Sequence, residues 1–135
     1  MEIVSQSVQD TRAAGARLAL SARPGDVYAL VGELGCGKTE LVRGFVSELS
    51  GECAVHSPSF SVLNIYDVPA FTVYHFDFYR LKKAAELVEI GFEEYARGDG
   101  VCCIEWADMF PEVIPRKARY VRFTDKGNGV RSIVY

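Results

Sequence analysis

The sequence predicts an α/β fold of three layers, with a mixed sheet flanked by helices and a C-terminal β-hairpin. Three observations predict it. The run Gly32-Glu33-Leu34-Gly35-Cys36-Gly37-Lys38-Thr39 stands directly between the apolar stretch Val27-Tyr28-Ala29-Leu30-Val31 and a helix-like stretch. That is the strand-loop-helix setting of a phosphate-binding P-loop, and it makes the fold P-loop NTPase-like. The segment from Phe71 to Tyr79 alternates His75, Asp77 and Tyr79 against Tyr74, Phe76 and Phe78, the two-residue period of a strand with one polar face. The run Val101-Cys102-Cys103-Ile104 is short and uninterrupted, as in a strand buried on both faces.

The elements follow in order. Ser7 with Asp10 matches a capping box, and Val8, Gly15, Leu18 and Ala19 recur at helical spacing until Pro24-Gly25-Asp26 turns the chain, so residues 8–22 read as a helix. A strand at 27–31 enters the P-loop, and the next helix carries Leu41, Phe45 and Leu49 on one stripe before Gly51 offers a left-handed stop. Phe60 to Tyr66 and Phe71 to Tyr79 read as strands joined by the turn Asp67-Val68-Pro69-Ala70. A helical segment with Leu87, Ile90 and Tyr95 ends near Gly98, and the apolar strand after it ends at Glu105. Strands around 118–124 and 129–134 flank Asp125-Lys126-Gly127-Asn128, whose glycine and asparagine suit a hairpin turn. Residues 1–135 show no internal repeat, low-complexity segment or linker and read as one domain.

Composition excludes several classes. With 49% hydrophobic and 24% charged residues, the chain can bury a core and cover it. No segment approaches the roughly 18 consecutive apolar residues of a spanning helix, and no leader pattern begins the chain, so a cytoplasmic protein without membrane contact is expected. The cysteines Cys36, Cys53, Cys102 and Cys103 lack metal-ligand spacing and read as reduced thiols, the adjacent pair as small buried hydrophobes. A net charge of −3 argues against stable DNA binding and against wrapping RNA unaided, since such binding rests on lysine and arginine at phosphates.

The P-loop spacing has a chemical reason. Glycines let the backbone turn tightly, so the N–H groups of Glu33, Leu34, Gly35, Cys36 and Gly37 can face the β- and γ-phosphates, aided by the dipole of the following helix. Lys38 would reach the phosphate oxygens as a compact cation, and the Thr39 hydroxyl would be a ligand of the Mg2+ that travels with ATP. Val101 to Glu105, four apolar residues ending in an acid, has the form of a Walker B strand, so Glu105 is the candidate magnesium partner; its bland alternative is an ordinary exposed acid at a strand end. Trp106 either packs near the nucleotide or is a core or rim residue. Neither an Asn-Lys-x-Asp nor an Asp-x-x-Gly motif occurs, so guanine specificity is unsupported. A small P-loop kinase and a nucleotide-sensing adaptor without turnover stay open as alternatives.

Taken with the P-loop, Ser57-Pro58-Ser59-Phe60, His75-Phe76-Asp77-Phe78-Tyr79-Arg80 and Ile104-Glu105-Trp106, in this order, resemble the TsaE family over nearly the whole chain. The resemblance implies a bacterial ATPase that serves the making of threonylcarbamoyladenosine beside the anticodon of tRNAs, with TsaD and TsaB as partners and tRNA contacted through that complex. It implies that Gly35, Gly37, Lys38 and Thr39 bind the triphosphate, that Thr39 and Glu105 hold magnesium, and that Ser57 to Phe60 forms a switch-like loop. It makes Asp77 a water- or metal-orienting acid, the alternative being a hydrogen-bonded acid that orders the neighbouring loop, while Arg80 would pair with a carboxylate, a phosphate or a partner. Two departures stand out: Cys36 where the family usually has alanine, and Ser59 where it has threonine. Cys36 beside a lysine and a helix start is expected to have thiolate character, so that oxidation would block ATP binding. No arginine finger is legible, which predicts feeble hydrolysis by the isolated chain and stimulation by partners.

Overall fold

The computed structural model describes residues 1–33, 35, 37–51 and 62–135; Leu34, Cys36 and the segment 52–61, with Cys53 and the Ser57 to Phe60 motif, lie outside the described residues. The elements are β1 (Glu2–Ser5), α1 (Val8–Ser21), β2 (Val27–Val31), α2 (Lys38–Ser50), β3 (Leu63–Asp67), β4 (Thr72–Asp77), α3 (Ala85–Glu89), α4 (Phe92–Arg97), β5 (Val101–Glu105), β6 (Arg119–Gly127) and β7 (Val130–Val134). Two 3-10 turns, Ala107–Met109 and Pro111–Val113, follow β5.

Seven strands among the described residues form one mixed sheet in the order β1-β7-β6-β2-β5-β4-β3. The centre is parallel, with β2 pairing β5 and β6 and β4 pairing β5. Both margins are antiparallel. Alternation along the central strands sorts the core into two clusters. Tyr28, Leu30, Val101 and Cys103 pack with Leu18, Leu41 and Phe45 of α1 and α2, whereas Val27, Ala29, Cys102 and Ile104 pack with Leu87, Phe92 and Phe110 on the opposite side. The expected three layers, mixed sheet and terminal hairpin are therefore all present.

The opposite layer holds the end of β4 in place through aromatic edges. The Phe76 ring meets Phe92 at 5.0 Å and 79°, and Phe78 meets Phe92 at 5.4 Å and Phe110 at 6.0 Å. Such T-shaped pairs add about 0.5–1.5 kcal/mol each beyond burial, so the residue between these phenylalanines, Asp77, sits on a stiff strand end.

Several expectations change in detail. β1 was not foreseen; it is a four-residue edge strand that extends the hairpin by pairing with β7. Val8 is 42% exposed, and α1 buries Thr11, Ala14, Gly15, Leu18 and Ala19 instead. The N-cap half of its capping box is present, with the Asp10 amide donating to Ser7 Oγ at 3.0 Å, whereas Asp10 Oδ2 accepts from the amide of Gln6, one residue before the cap, at 2.9 Å. The helix expected around Leu87 to Tyr95 is two short helices, divided where Gly91 takes φ +76. The hairpin turn lies at Asn128 (φ +54) and Gly129 (φ +76), a two-residue turn of the kind that matches strand twist. The expected turn residues Asp125 and Gly127 form a bulge within β6 instead, closed by the Gly127 amide donating to Asp125 Oδ1 at 2.8 Å.

Candidate functional site

β2 delivers the chain to the glycine-rich loop, and the loop ends on Gly37, which caps α2 with φ +102. A side chain at Gly37 is strained by the backbone and crowded by two neighbours. That φ strains any L-residue, and a Cβ would lie 3.1 Å from Thr11 Cγ2 and 3.2 Å from Arg131 Nη1. Thr11 and Arg131 thus buttress the outside of the loop from α1 and β7, a support with no signal in the local sequence.

Lys38, the first residue of α2, is only 5% exposed. Its ammonium donates to the carbonyls of Gly32 (2.5 Å) and Glu33 (3.2 Å) and stands 3.8 Å from the centroid of the Trp106 ring. The next residue turns toward β5: the Thr39 hydroxyl lies 2.9 Å from both carboxylate oxygens of Glu105 and donates its proton to them. The two predicted halves of the site, separated by 66 residues in sequence, therefore meet. Glu105 is 4% exposed, so its alternative as an ordinary exposed acid is set aside.

Asp77 stands opposite Glu105 in the parallel β4–β5 register, and the two carboxylates share one face of the sheet. Burial pushes the Asp77 carboxyl above the ordinary carboxylate range; the Tyr79 amide, donating to Oδ1 at 2.9 Å, works against this, and the negative charge of Glu105 adds to it. That same amide bond orders the chain after β4, so Asp77 has the structural role weighed for it whatever else it does. Trp106 holds φ +57, uncommon for a bulky residue, and its ring lies 4.9 Å from that of Tyr79. It belongs to the site through Lys38, while also packing partly against the core.

The residue that sequence reasoning passed over is His75. The sequence places it on a polar strand face and in the motif from His75 to Arg80, with no role of its own. Fully buried at 0% exposure, it donates from Nε2 to Glu105 Oε2 at 2.6 Å, and its buried Nδ1 has no hydrogen-bond partner among the described residues. The available signal was its position two residues before Asp77, on the same face. Arg80 is exposed and follows β4. Cys102 and Cys103 are buried on β5 and make no part of the site; burial pushes Cys102 up to about 12 and raises Cys103 as well.

The donor set is one of hard oxygens, from Thr39, Glu105 and Asp77, beside a fixed cation and a glycine-rich backbone. Oxygen donors suit a small divalent cation such as Mg2+, and the Thr39 hydroxyl, having spent its proton on Glu105, keeps its lone pairs for a metal. Among the described residues no group of three or more His, Cys, Asp and Glu could hold a metal ion. No helix among the described residues is long and apolar enough to cross a membrane.

The family model for threonylcarbamoyl adenosine biosynthesis protein TsaE matches residues 5–133. The tRNA threonylcarbamoyladenosine biosynthesis protein TsaE of Bacillus subtilis (strain 168) is 35% identical over 127 residues, 94% of this chain and 79% of that protein. That of Treponema pallidum (strain Nichols) is 34% identical over 133 residues, 98% of each chain. A crystal structure of Bacillus subtilis YdiB aligns with a TM-score of 0.81 at 30% identity, over 98% of this chain and 82% of that one. With the family model matched over residues 5–133 and relatives at 34% and 35% identity over most of its length, this chain belongs to the TsaE family.

Proposed function

We propose that this chain is the ATP-binding and ATP-hydrolysing component of tRNA threonylcarbamoyladenosine biosynthesis, a single-domain cytoplasmic switch that acts on TsaD and TsaB and reaches tRNA through them. One observation carries the reading: Thr39 at the start of α2 bonds Glu105 at the end of β5, with Lys38 beside them at the glycine-rich loop. That arrangement is what P-loop phosphoryl chemistry requires.

In this reading the loop amides from Glu33 to Thr39, with the unmatched amides of the first turn of α2, receive the phosphates. Lys38 exchanges the carbonyls of Gly32 and Glu33 for phosphate oxygens and stays near the face of Trp106. Thr39 and Glu105 would hold Mg2+, which when bound neutralises charge on the phosphate oxygens. Asp77, in register with Glu105, would orient the attacking water through a carboxyl that burial makes more basic than usual. Hydrolysis by the isolated protein should be weak and completed by partners, an effect worth roughly 10³ to 10⁵ in rate where a charge-stabilising arginine is supplied.

The test is phosphate release from ATP with magnesium by the purified chain, alone and with TsaB and TsaD. Stimulation by the pair, lost in Lys38→Ala and strongly reduced in Glu105→Ala with binding better preserved, is the expected result. No stimulation, or unchanged turnover in either variant, overturns the reading, and a phosphorylated small molecule among the products replaces it with a kinase.

A further inference from the structure

We propose that His75 is a positioning residue for Glu105, holding that carboxylate in its metal-ready orientation; the inference rests on the reading of Thr39 and Glu105 as the metal-holding pair. His75 lies on β4 two residues before Asp77, opposite Cys103 of β5, and from there its ring reaches Glu105 on the same face of the sheet. The Nε2 to Oε2 distance is 2.6 Å, within the range of a strong charge-assisted bond, and a carboxylate can only accept, so the imidazole is the donor.

Packing alone does not account for this side chain. Its exposure is 0%, and Nδ1 is buried without a partner among the described residues. A buried polar atom left unsatisfied costs stability, and an apolar residue of the same size would avoid that cost. The ring's neighbour on the other side is Tyr66, with centroids 6.4 Å apart, an aromatic setting in which an apolar residue would also pack. What an apolar residue cannot do is hold Glu105 Oε2.

Glu105 is thereby held by two donors from two different elements, Thr39 of α2 and His75 of β4. A free glutamate loses rotamer freedom when a metal fixes it, and here two donors already restrict that freedom. Groups that fix a metal ligand in this way typically change metal affinity by about 10- to 100-fold. His75 bonds Glu105, whereas Lys38 bonds the carbonyls of Gly32 and Glu33, so the loss of His75 should act first on the metal-dependent part of nucleotide binding.

The experiment measures the Kd of the non-hydrolysable ATP analogue AMPPNP by calorimetry, in EDTA and in saturating Mg2+, and takes the ratio as the metal enhancement. The variants are His75→Met, which removes the donor at similar volume; His75→Asn, whose shorter amide does not reach Oε2; and His75→Gln, whose amide can. Glu105→Gln calibrates the loss of the acid itself. The expected result is an enhancement reduced about tenfold in His75→Met and His75→Asn, an EDTA Kd within about twofold of the parent, and recovery to within about threefold in His75→Gln. If Glu105→Gln abolishes the enhancement while folded His75→Met or His75→Asn retains it, or if the EDTA Kd falls away equally, the positioning role is wrong. If the parent protein shows no enhancement, or Glu105→Gln leaves it intact, the reading of Glu105 itself fails.

Discussion

Replacing Gly15 with alanine sets two effects of opposite sign against each other, and the structure decides which one wins. In a helix interior, alanine is favoured over glycine by roughly 0.5–1 kcal/mol, so a free α1 would gain from the change. Gly15 is not free. A Cβ there would lie 1.9 Å from the carbonyl oxygen of Leu41, and 2.9 Å from both the Leu41 carbonyl carbon and the Phe45 nitrogen. All three atoms are α2 backbone, so no side-chain rotation relieves the contact. Gly44 makes the reciprocal approach, with a Cβ there 1.9 Å from the Arg12 carbonyl oxygen. Restoring ordinary contact at Gly15 requires the helices to part locally by about 1.5 Å, which strips packing from Ala14, Leu18, Leu41 and Phe45. Overpacking of this kind costs about 1–3 kcal/mol or more, and a backbone contact belongs at the upper end. The net expectation is a loss of about 2 kcal/mol, or a Tm lower by about 8 °C for a chain of this size. Because α2 begins with Lys38 and Thr39, nucleotide affinity should weaken as well. Thermal and urea denaturation check the first statement and calorimetry with AMPPNP the second. Gln9→Ala, at an exposed site on the same helix, should change stability by no more than about 0.5 kcal/mol. A Gly15→Ala protein as stable as the parent would refute the close crossing of α1 and α2.

Two further predictions follow from buried titratable groups. Burial raises Asp77, so folding disfavours its charged form relative to the unfolded chain and its charge costs stability at neutral pH. Asp77→Asn keeps an acceptor for the Tyr79 amide and should be more stable than the parent at neutral pH, with an advantage that shrinks as pH falls through the raised native value and is gone below about 3.9, the ordinary aspartate value. Urea midpoints across pH measure this, and equal midpoints at neutral pH would contradict it. Cys102 and Cys103 should resist iodoacetamide in the folded protein and react once it is unfolded, because both are buried and shifted away from the thiolate. Peptide mass spectrometry locates the label, and modification of either thiol in the native protein is the contrary result.

How far the sequence could be read depended on whether the deciding interaction was local. The P-loop strand and helix were legible because Gly37 must adopt a positive φ and Lys38 and Thr39 must follow it directly. The buried β5 was legible from four consecutive apolar residues, and the polar face of β4 from simple alternation. Gly91 was harder: a single glycine within a helical pattern leaves open whether the helix continues, and here it takes the left-handed conformation and divides α3 from α4. The hairpin was found but its turn was displaced, since Asp125 to Asn128 is rich in turn-forming residues and only the strand register shows that Asn128 and Gly129 make the turn. β1 had no local signal; four residues become a strand there only because β7 lies beside them. The part of His75 was hidden for the same reason, its partner being 30 residues away on a neighbouring strand.

That dependence on strand pairing also explains why the site's two acids are presented together. Parallel strands bring their carboxyl ends to one edge, so β2, β4 and β5 terminate side by side at Val31, Asp77 and Glu105. Moving β4 by one residue against β5 would turn Asp77 into the layer of Phe92 and Phe110 and bring Phe76 or Phe78 toward α2. The aromatic contacts of Phe76 and Phe78 therefore do more than fill the core. They make the wrong register costly, and in doing so they keep Asp77 level with Glu105 and His75 within reach of it. Lys38, by contrast, is held by carbonyls of the loop and the face of Trp106, contacts that a phosphate can outcompete, because a cation gains more from an anion than from neutral dipoles or a ring. The acids are thus set by the sheet before any nucleotide arrives, and the lysine is the member of the site left to respond to it.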